Sequence, residues 1–278
     1  MPALATPYPF ATGVHDDVPM DAYHAMPALS SSGIKKLLRS PAHYLVERSR
    51  HNAPTDAMRI GTAVHTLILE PHRAGEIGEM PEFNARTKDG RAERDAWLAA
   101  HEGLQAFDAQ TLANIRAAVA AVRAHPGASM LLSEGVAERT VLWRDARLGI
   151  ECRARYDWHR ADGGIVDVKS TRDASPEAFS RDIHTFGYAI SAAHYITGAE
   201  HVLNETPRFW AFVCVEVEPP FGVATYVLDS ASILVGMRHC IRAYNRFAEC
   251  TASGHWPSYP DTIEPISLPT WAKRFQGE

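Results

Sequence analysis

The sequence predicts a mixed α/β fold in which a central mixed sheet is flanked by helices. Residues 58–69, Met-Arg-Ile-Gly-Thr-Ala-Val-His-Thr-Leu-Ile-Leu, are apolar almost all round, as in a buried helix. Residues 138–144, 149–158 and 165–169 read as consecutive strands separated by turn residues, an antiparallel meander. Residues 207–217 form a continuous β run suited to the middle of a sheet.

The composition fits a globular chain of this kind: 278 residues, 46% hydrophobic and 22% charged, neither disordered nor fibrous. No apolar run approaches the roughly 20 residues that span a bilayer, so no membrane partner is expected. Met1 to Phe10 lacks a basic start followed by a long apolar stretch, which predicts a cytoplasmic protein. Cys152, Cys214, Cys240 and Cys250 form no C-x-x-C pair and read as reduced, structural thiols. The formal net charge of -5 gives no bulk sign of a nucleic-acid binder.

Residues 1–28 carry five prolines and no periodicity, and read as an arm over the surface. Ser31 or Ser32 caps a helix over 33–39, and Ser40-Pro41 starts a second. Lys35, Lys36 and Arg39 make a basic edge on the first, by themselves the mark of a solvated face. His65, alone in the apolar helix 58–69, reads by itself as a satisfied core histidine.

At about 79–105 the charge density rises, and Arg86, Lys88, Arg91 and Arg94 alternate with acids in a mobile surface excursion. A helix over 108–124 ends at His125-Pro126-Gly127. After the meander, Ser175 caps one long helix from Pro176 to a stop at Gly198, with His184, Tyr188, Ser191 and Tyr195 along one stripe. Residues 222–228 partner the strand 207–217, and residues 230–251 form a closing helix. The proline- and aromatic-rich tail carries Trp256, Tyr259 and Trp271.

Alternation places Ile150, Cys152, Ala154 and Tyr156 on the core face of their strand, and Glu151, Arg153, Arg155 and Asp157 on the other. Asp157 and Asp167 are nearly symmetric about the turn at 161–164, so the hairpin sets them across from or diagonal to one another, with Lys169 two residues on. Facing carboxylates are destabilising unless a cation lies between them. Hard oxygen donors suit Mg²⁺ or Mn²⁺, which stabilises charge in phosphodiester hydrolysis, while the lysine positions or deprotonates water.

With Gly61-Thr-Ala-Val-His65 ahead of it, Arg155-Tyr-Asp157 followed by Asp167-Val-Lys169 resembles the PD-(D/E)xK nuclease superfamily, in its RecB/RecE-like branch, from about Met26 onward. The resemblance implies a restriction-endonuclease-like core. It implies a single nuclease domain over 29–278, behind the arm of 1–28 and with 79–105 as a charged insertion. It turns His65 into a metal ligand beside Asp157, Asp167 and the Val168 backbone carbonyl, with two Mg²⁺ or Mn²⁺ per site. Lys169 becomes the catalytic lysine, and Tyr188 and Tyr195 support the site. Ser191 departs from the family's Q-x-x-x-Y helix, and Tyr156 stands where the superfamily name has Pro. The cysteine cluster of iron–sulfur relatives is absent.

The activity implied is a Mg²⁺-dependent 5′-3′ exonuclease acting on double-stranded DNA ends. It would prepare single-stranded tails for phage-type recombination, as a homo-oligomer that hands its product to a single-strand annealing protein. Alternatives are an endonuclease of the same chemistry and a catalytically silent DNA-end-binding module. Arg86, Lys88, Arg91, Arg94, Arg153 and Arg155 are the expected phosphate contacts.

Overall fold

A computed structural model describes residues 11–48, 50 and 53–268. Its main sheet has six strands in the spatial order β1 (Gly13–His15), β4 (Gly135–Asp145), β5 (Ile150–Arg160), β6 (Ile165–Thr171), β7 (Trp210–Glu216) and β8 (Val223–Val227). β4, β5 and β6 are the expected antiparallel meander, and β8 runs antiparallel to β7. β6 and β7 are parallel, which requires the crossover through α8 (Pro176–Thr185) and α9 (Tyr188–Leu203). A second, two-stranded parallel sheet pairs β2 (Ile77–Glu79) with β3 (Gln105–Phe107).

β7 is buried on both faces, as its unbroken apolar run predicts. Trp210, Phe212 and Cys214 meet α9, α10 (Ser230–Ser253) and α2 (Ser31–Arg39) on one side. Ala211, Val213 and Val215 meet α4 (Asp56–Leu69) and α6 (Ala109–Ala124) on the other. Burying a side chain of this size stabilises by about 1.5–3 kcal/mol relative to leaving it exposed, so the two apolar layers fix where α4 and α9 stand against the sheet. The four cysteines are buried thiols, as expected.

Several boundaries differ from expectation. The segment read as a surface arm contributes β1, which pairs with β4, and α1 (Met20–Ala25). Val18, Tyr23 and Met26 are buried with Leu142, a core contribution too short to show periodicity. Ser30, not Ser31 or Ser32, caps α2, accepting from the Gly33 N–H at 3.2 Å. Ser40 and Pro41 start α3 (Pro41–Glu47) as predicted.

The charged excursion contains an ordered helix, α5 (Lys88–Ala100), capped by Thr87. Further on, α7 (Pro126–Leu131) follows the stop at His125. The long helix expected over 176–198 is two helices, because Gly187 takes a left-handed backbone (φ +63°) that ends one and begins the other. Gly198 lies inside α9 against the Trp143 ring, and Asn204 ends that helix in the left-handed region. In the tail, Trp256 stacks on Tyr44, while Trp271 lies outside the described residues. Among the described residues no helix is long and apolar enough to cross a membrane.

Candidate active site

The β5–β6 hairpin pairs Trp158 with Val166 and His159 with Ile165, and the ladder goes no further. Counting on by one residue puts Asp157 opposite Asp167 where the two strands part. β5 beyond this point pairs instead with Leu29, whose N–H donates to the Glu151 carbonyl and whose carbonyl accepts from the Arg153 N–H. The meander thus opens into a wedge with the two carboxylates at its apex.

α4 closes the wedge. Gly61 makes this approach possible, since a β-carbon there would stand 3.0 Å from the Ser170 Oγ of β6. One turn later His65 enters the cluster. Its Nε2–H donates to Asp157 Oδ2 at 2.7 Å, and Nδ1 lies 3.3 Å from Glu138 Oε1. Asp157 Oδ2 also accepts from the Val168 N–H at 2.8 Å, and the Asp157 and Asp167 side chains share a hydrogen bond. Lys169 Nζ donates to Asp167 Oδ1.

Glu138, His65, Asp157, Asp167 and Lys169 therefore form one connected chain of ionisable groups. Over it lies a cavity of about 580 Å³ whose walls include His65, Glu138, Lys169 and Tyr188.

Electrostatics explain how three carboxylates share so little space. Burial works against a charged His65 ring, but Asp157 and Glu138 outweigh it and lift the imidazole to about 10. Burial likewise favours a neutral Asp157, yet His65 and then Lys169 hold that carboxyl well below its usual range. Asp167 goes the other way: burial raises it, Lys169 pulls it back and Asp157 raises it again. Lys169 stays protonated because Asp167 and Asp157 overcome the cost of its burial. A proton shared between carboxylates and an imidazolium between two acids do what a divalent cation would do.

The donor set fits such an ion. Ligand atoms of His65, Glu138 and Asp157 lie within 4.8 Å of one another. Carboxylate oxygens suit Mg²⁺ and Mn²⁺, and the imidazole nitrogen favours the latter.

Tyr188 and Tyr195 also reach the cluster. The Tyr188 ring centroid is 5.1 Å from Lys169 Nζ. Tyr195 hydrogen-bonds with the Ser31 side chain and feels both Asp157 and Asp167, and its backbone carbonyl accepts from Tyr156 Oη at 3.0 Å. Ser191 is buried on the helix turn between the two tyrosines. His184 belongs to α8 and does not share their stripe.

The arginines of β5 require correction. Arg153 and Arg155 are 8% and 7% exposed, and their guanidinium groups are engaged by the N-terminal segment rather than open to phosphate. Arg153 donates to the Tyr23 and Met26 carbonyls, and Arg155 to the Val18 carbonyl at 2.6 Å and Thr140 Oγ1 at 3.0 Å. The Tyr23 ring lies against both guanidinium groups, 4.8 and 4.5 Å from their carbons. Arg86, Lys88, Arg91 and Arg94 lie on or beside α5 and line no part of the 580 Å³ cavity. Arg94 pairs with Asp95, and Arg91 donates to the Ala85 carbonyl.

Glu138 is the residue that sequence reasoning missed. It sits in β4 opposite Asp157 at a gap in the β4–β5 ladder, with a left-handed backbone (φ +50°) that is costly for a non-glycine residue. The signal was available: the turn that pairs Asp145 with Ile150 also counts Glu138 onto Asp157.

With this geometry in hand, residues 30–269 match the family described as a PDDEXK-like domain of unknown function (DUF3799). The chain belongs to this family. It is thereby placed in the PD-(D/E)xK nuclease superfamily, as the motifs around Asp157 and Asp167 led one to expect. The crystal structure of a candidate exonuclease from Eubacterium rectale superposes with a TM-score of 0.62 at 9% identity, covering 94% of this chain and 100% of that one. That likeness shows the restriction-endonuclease-like fold. A second solved protein, SSO0001, aligns over 77% of this chain and 85% of its own at 13% identity with a TM-score of 0.28. No curated protein matches. A PDDEXK-type nuclease domain implies a DNA substrate and, typically, a divalent metal.

Proposed function

We propose that this PDDEXK domain is a Mg²⁺- or Mn²⁺-dependent deoxyribonuclease that degrades double-stranded DNA from its ends, 5′ to 3′. The observation that carries the reading is the connected chain of Glu138, His65, Asp157, Asp167 and Lys169, of which Glu138, His65 and Lys169 line a cavity. His65, Glu138, Asp157, Asp167 and the Val168 carbonyl would hold the metal, two ions per site. Bound there, the metal supplies Lewis-acid stabilisation of the phosphoryl oxygens and lowers the pKa of an attacking water.

The protein's own groups do the rest. Lys169 holds its proton, so it orients the water and offsets charge that develops on the phosphoryl group. Asp167 fixes the ammonium from one side and the Tyr188 ring from another. His65 must give up its proton to become a ligand. The carboxylates that lift its pKa to about 10 make metal binding and proton release one coupled event.

End specificity, polarity, oligomeric assembly, the annealing partner, the recombination role and a cytoplasmic site of action rest on resemblance to the RecE-like branch. The single domain over 29–278 has the same support. The basic side chains of 86–94 serve as outlying phosphate contacts for the duplex, since their helix is exposed and carries no part of the core.

Linear duplexes blocked at the 5′ or 3′ ends, assayed beside a closed circle with Mg²⁺, Mn²⁺, Ca²⁺ or EDTA, test this. Expected are digestion of linear DNA with free 5′ ends in Mg²⁺ or Mn²⁺, intact circles, and binding without hydrolysis in Ca²⁺. Cleavage of the circle would replace the reading by an endonuclease. End binding without cleavage in any metal would replace it by a silent binding module.

A further inference from the structure

A second and larger cavity, about 810 Å³, lies between α2, α8, β8 and α10. It adjoins the candidate active site at one place. Lys35 lines this groove, its Nζ is 6.0 Å from the Tyr188 ring centroid, and it lies close enough to Lys169 and Asp167 for each to perturb it. Tyr188 in turn lines the cavity over the carboxylates. Lys35, on the wall of the groove, and Lys169, on the wall of the other cavity, thus both lie near the Tyr188 ring.

The chemistry of the groove is specific. Phe186, 52% exposed at the break between α8 and α9, stacks on Tyr188 with centroids 5.6 Å apart and planes at 29°. Lys35, Arg39 and Arg242 are among its walls; Lys35 Nζ donates one N–H to the Phe186 carbonyl at 3.0 Å and has others to offer, and Arg39 is only loosely paired, 3.8 Å from Glu47. The acid lining it, Asp229, is occupied as the cap of α10, accepting from the Ser232 N–H at 2.7 Å and from its hydroxyl. A chain of net charge -5 has collected three cations beside an exposed aromatic step. Aromatic platforms with a cationic track are what a single nucleic-acid strand requires: bases stack on the rings and phosphates follow the charges. A duplex offers no free base faces to such a ring.

We infer that this groove holds a single DNA strand on its way to or from the carboxylate cluster, with phosphates on Lys35, Arg39 and Arg242 and a base on Phe186. The inference rests on the nuclease reading above and adds a subsite to it.

Fluorescence anisotropy with a labelled 12-nucleotide oligothymidylate in EDTA tests the groove without cleavage. R39E/R242E is expected to weaken binding at least tenfold and to flatten the slope of log affinity against log salt by about 1.4, two phosphate contacts at about 0.7 each. Phe186→Ala is expected to weaken it about tenfold with the slope unchanged, the mark of a lost stacking partner. Wild-type affinity in both variants overturns the inference. So does a change of sedimentation mass without a change of strand affinity, which would make the groove a protein contact.

Wild-type cleavage of linear duplex in Mg²⁺ is measured in parallel. If no cleavage occurs but the variants still lose strand affinity, the nuclease reading falls and the groove stands. If cleavage occurs with unaltered affinity, the groove alone falls.

Discussion

Arg153, Arg155 and Asp157 are successive residues on one face of one strand, yet they belong to two different regions. Beneath residues 18–26, the two arginines are buried against backbone carbonyls and the Tyr23 ring. Two residues further on, past the edge of that cover, Asp157 bonds to His65 and the Val168 N–H and joins a chain of ionisable groups. Alternation along a strand fixes which face a side chain takes. What lies over the face is decided by a segment more than a hundred residues away. The regions touch at Arg155, whose Nη1 is 3.9 Å from Glu138 Oε2, so the covered half also braces a member of the open half.

The comparison is tested most severely by removing charge from the open half. Lys169→Ala is expected to lower the cleavage rate by about 10²–10³, the usual cost of deleting a group that stabilises transition-state charge. Its far-UV circular dichroism should stay that of wild type, while its urea midpoint should fall, because Lys169 is the cation paired with buried Asp167. An undiminished rate would show that β6 does not carry the chemistry. Asp157→Asn should also lose activity, and its metal titration should shift to higher concentration, since the site loses a carboxylate ligand and His65 the group that orients it.

These two regions were unequally legible before the structure. Counting outward from the turn at 161–164 brings Asp157 and Asp167 across from or diagonal to one another, because a tight antiparallel hairpin admits few registers, and the structure sets them opposite. The same count about the neighbouring turn reaches Glu138, whose place at the start of a strand gives no local sign of a ligand. The central strand β7 was readable because burial on both faces leaves an unbroken apolar run.

The covering of Arg153 and Arg155 was not readable. Residues 18–26 bury Val18, Tyr23 and Met26 in a stretch interrupted by Pro19 and ended by Pro27, too short for any period to register. An arginine held by distant carbonyls has the same local sequence as one held by phosphate. The break at Gly187 was in plain view as a glycine between two aromatics, but the helical stripe running through it masked the stop.

Disturbing the covered half should separate stability from activity. Arg153→Ala removes the donor to the Tyr23 and Met26 carbonyls, which are left buried without it. The expected loss is about 3 kcal/mol, seen as a lower urea midpoint. The folded fraction should cleave at close to the wild-type rate. A variant that keeps its stability but loses cleavage would place Arg153 with the substrate after all and erase the distinction between the two regions.

His194 offers the finest test, because it braces the covered half from the opposite face of β5. Its Nε2–H donates to the Arg153 carbonyl at 2.9 Å and its Nδ1 accepts from Tyr244 Oη at 2.6 Å, an arrangement that calls for the neutral ring. Burial lowers its pKa to about 4, against an ordinary 6.5. Between those two values the unfolded chain binds a proton that the folded chain refuses. The stability this residue contributes is therefore complete above pH 6.5 and is lost as the pH falls toward 4, no more steeply than about 1.4 kcal/mol per pH unit. The difference between wild type and His194→Gln in urea unfolding at pH 7, 6 and 5 isolates this contribution from the other titrating groups. Wild type should lose more stability than the variant over that range. Parallel pH profiles would mean that His194 is not held neutral and that β5 is braced by apolar packing alone.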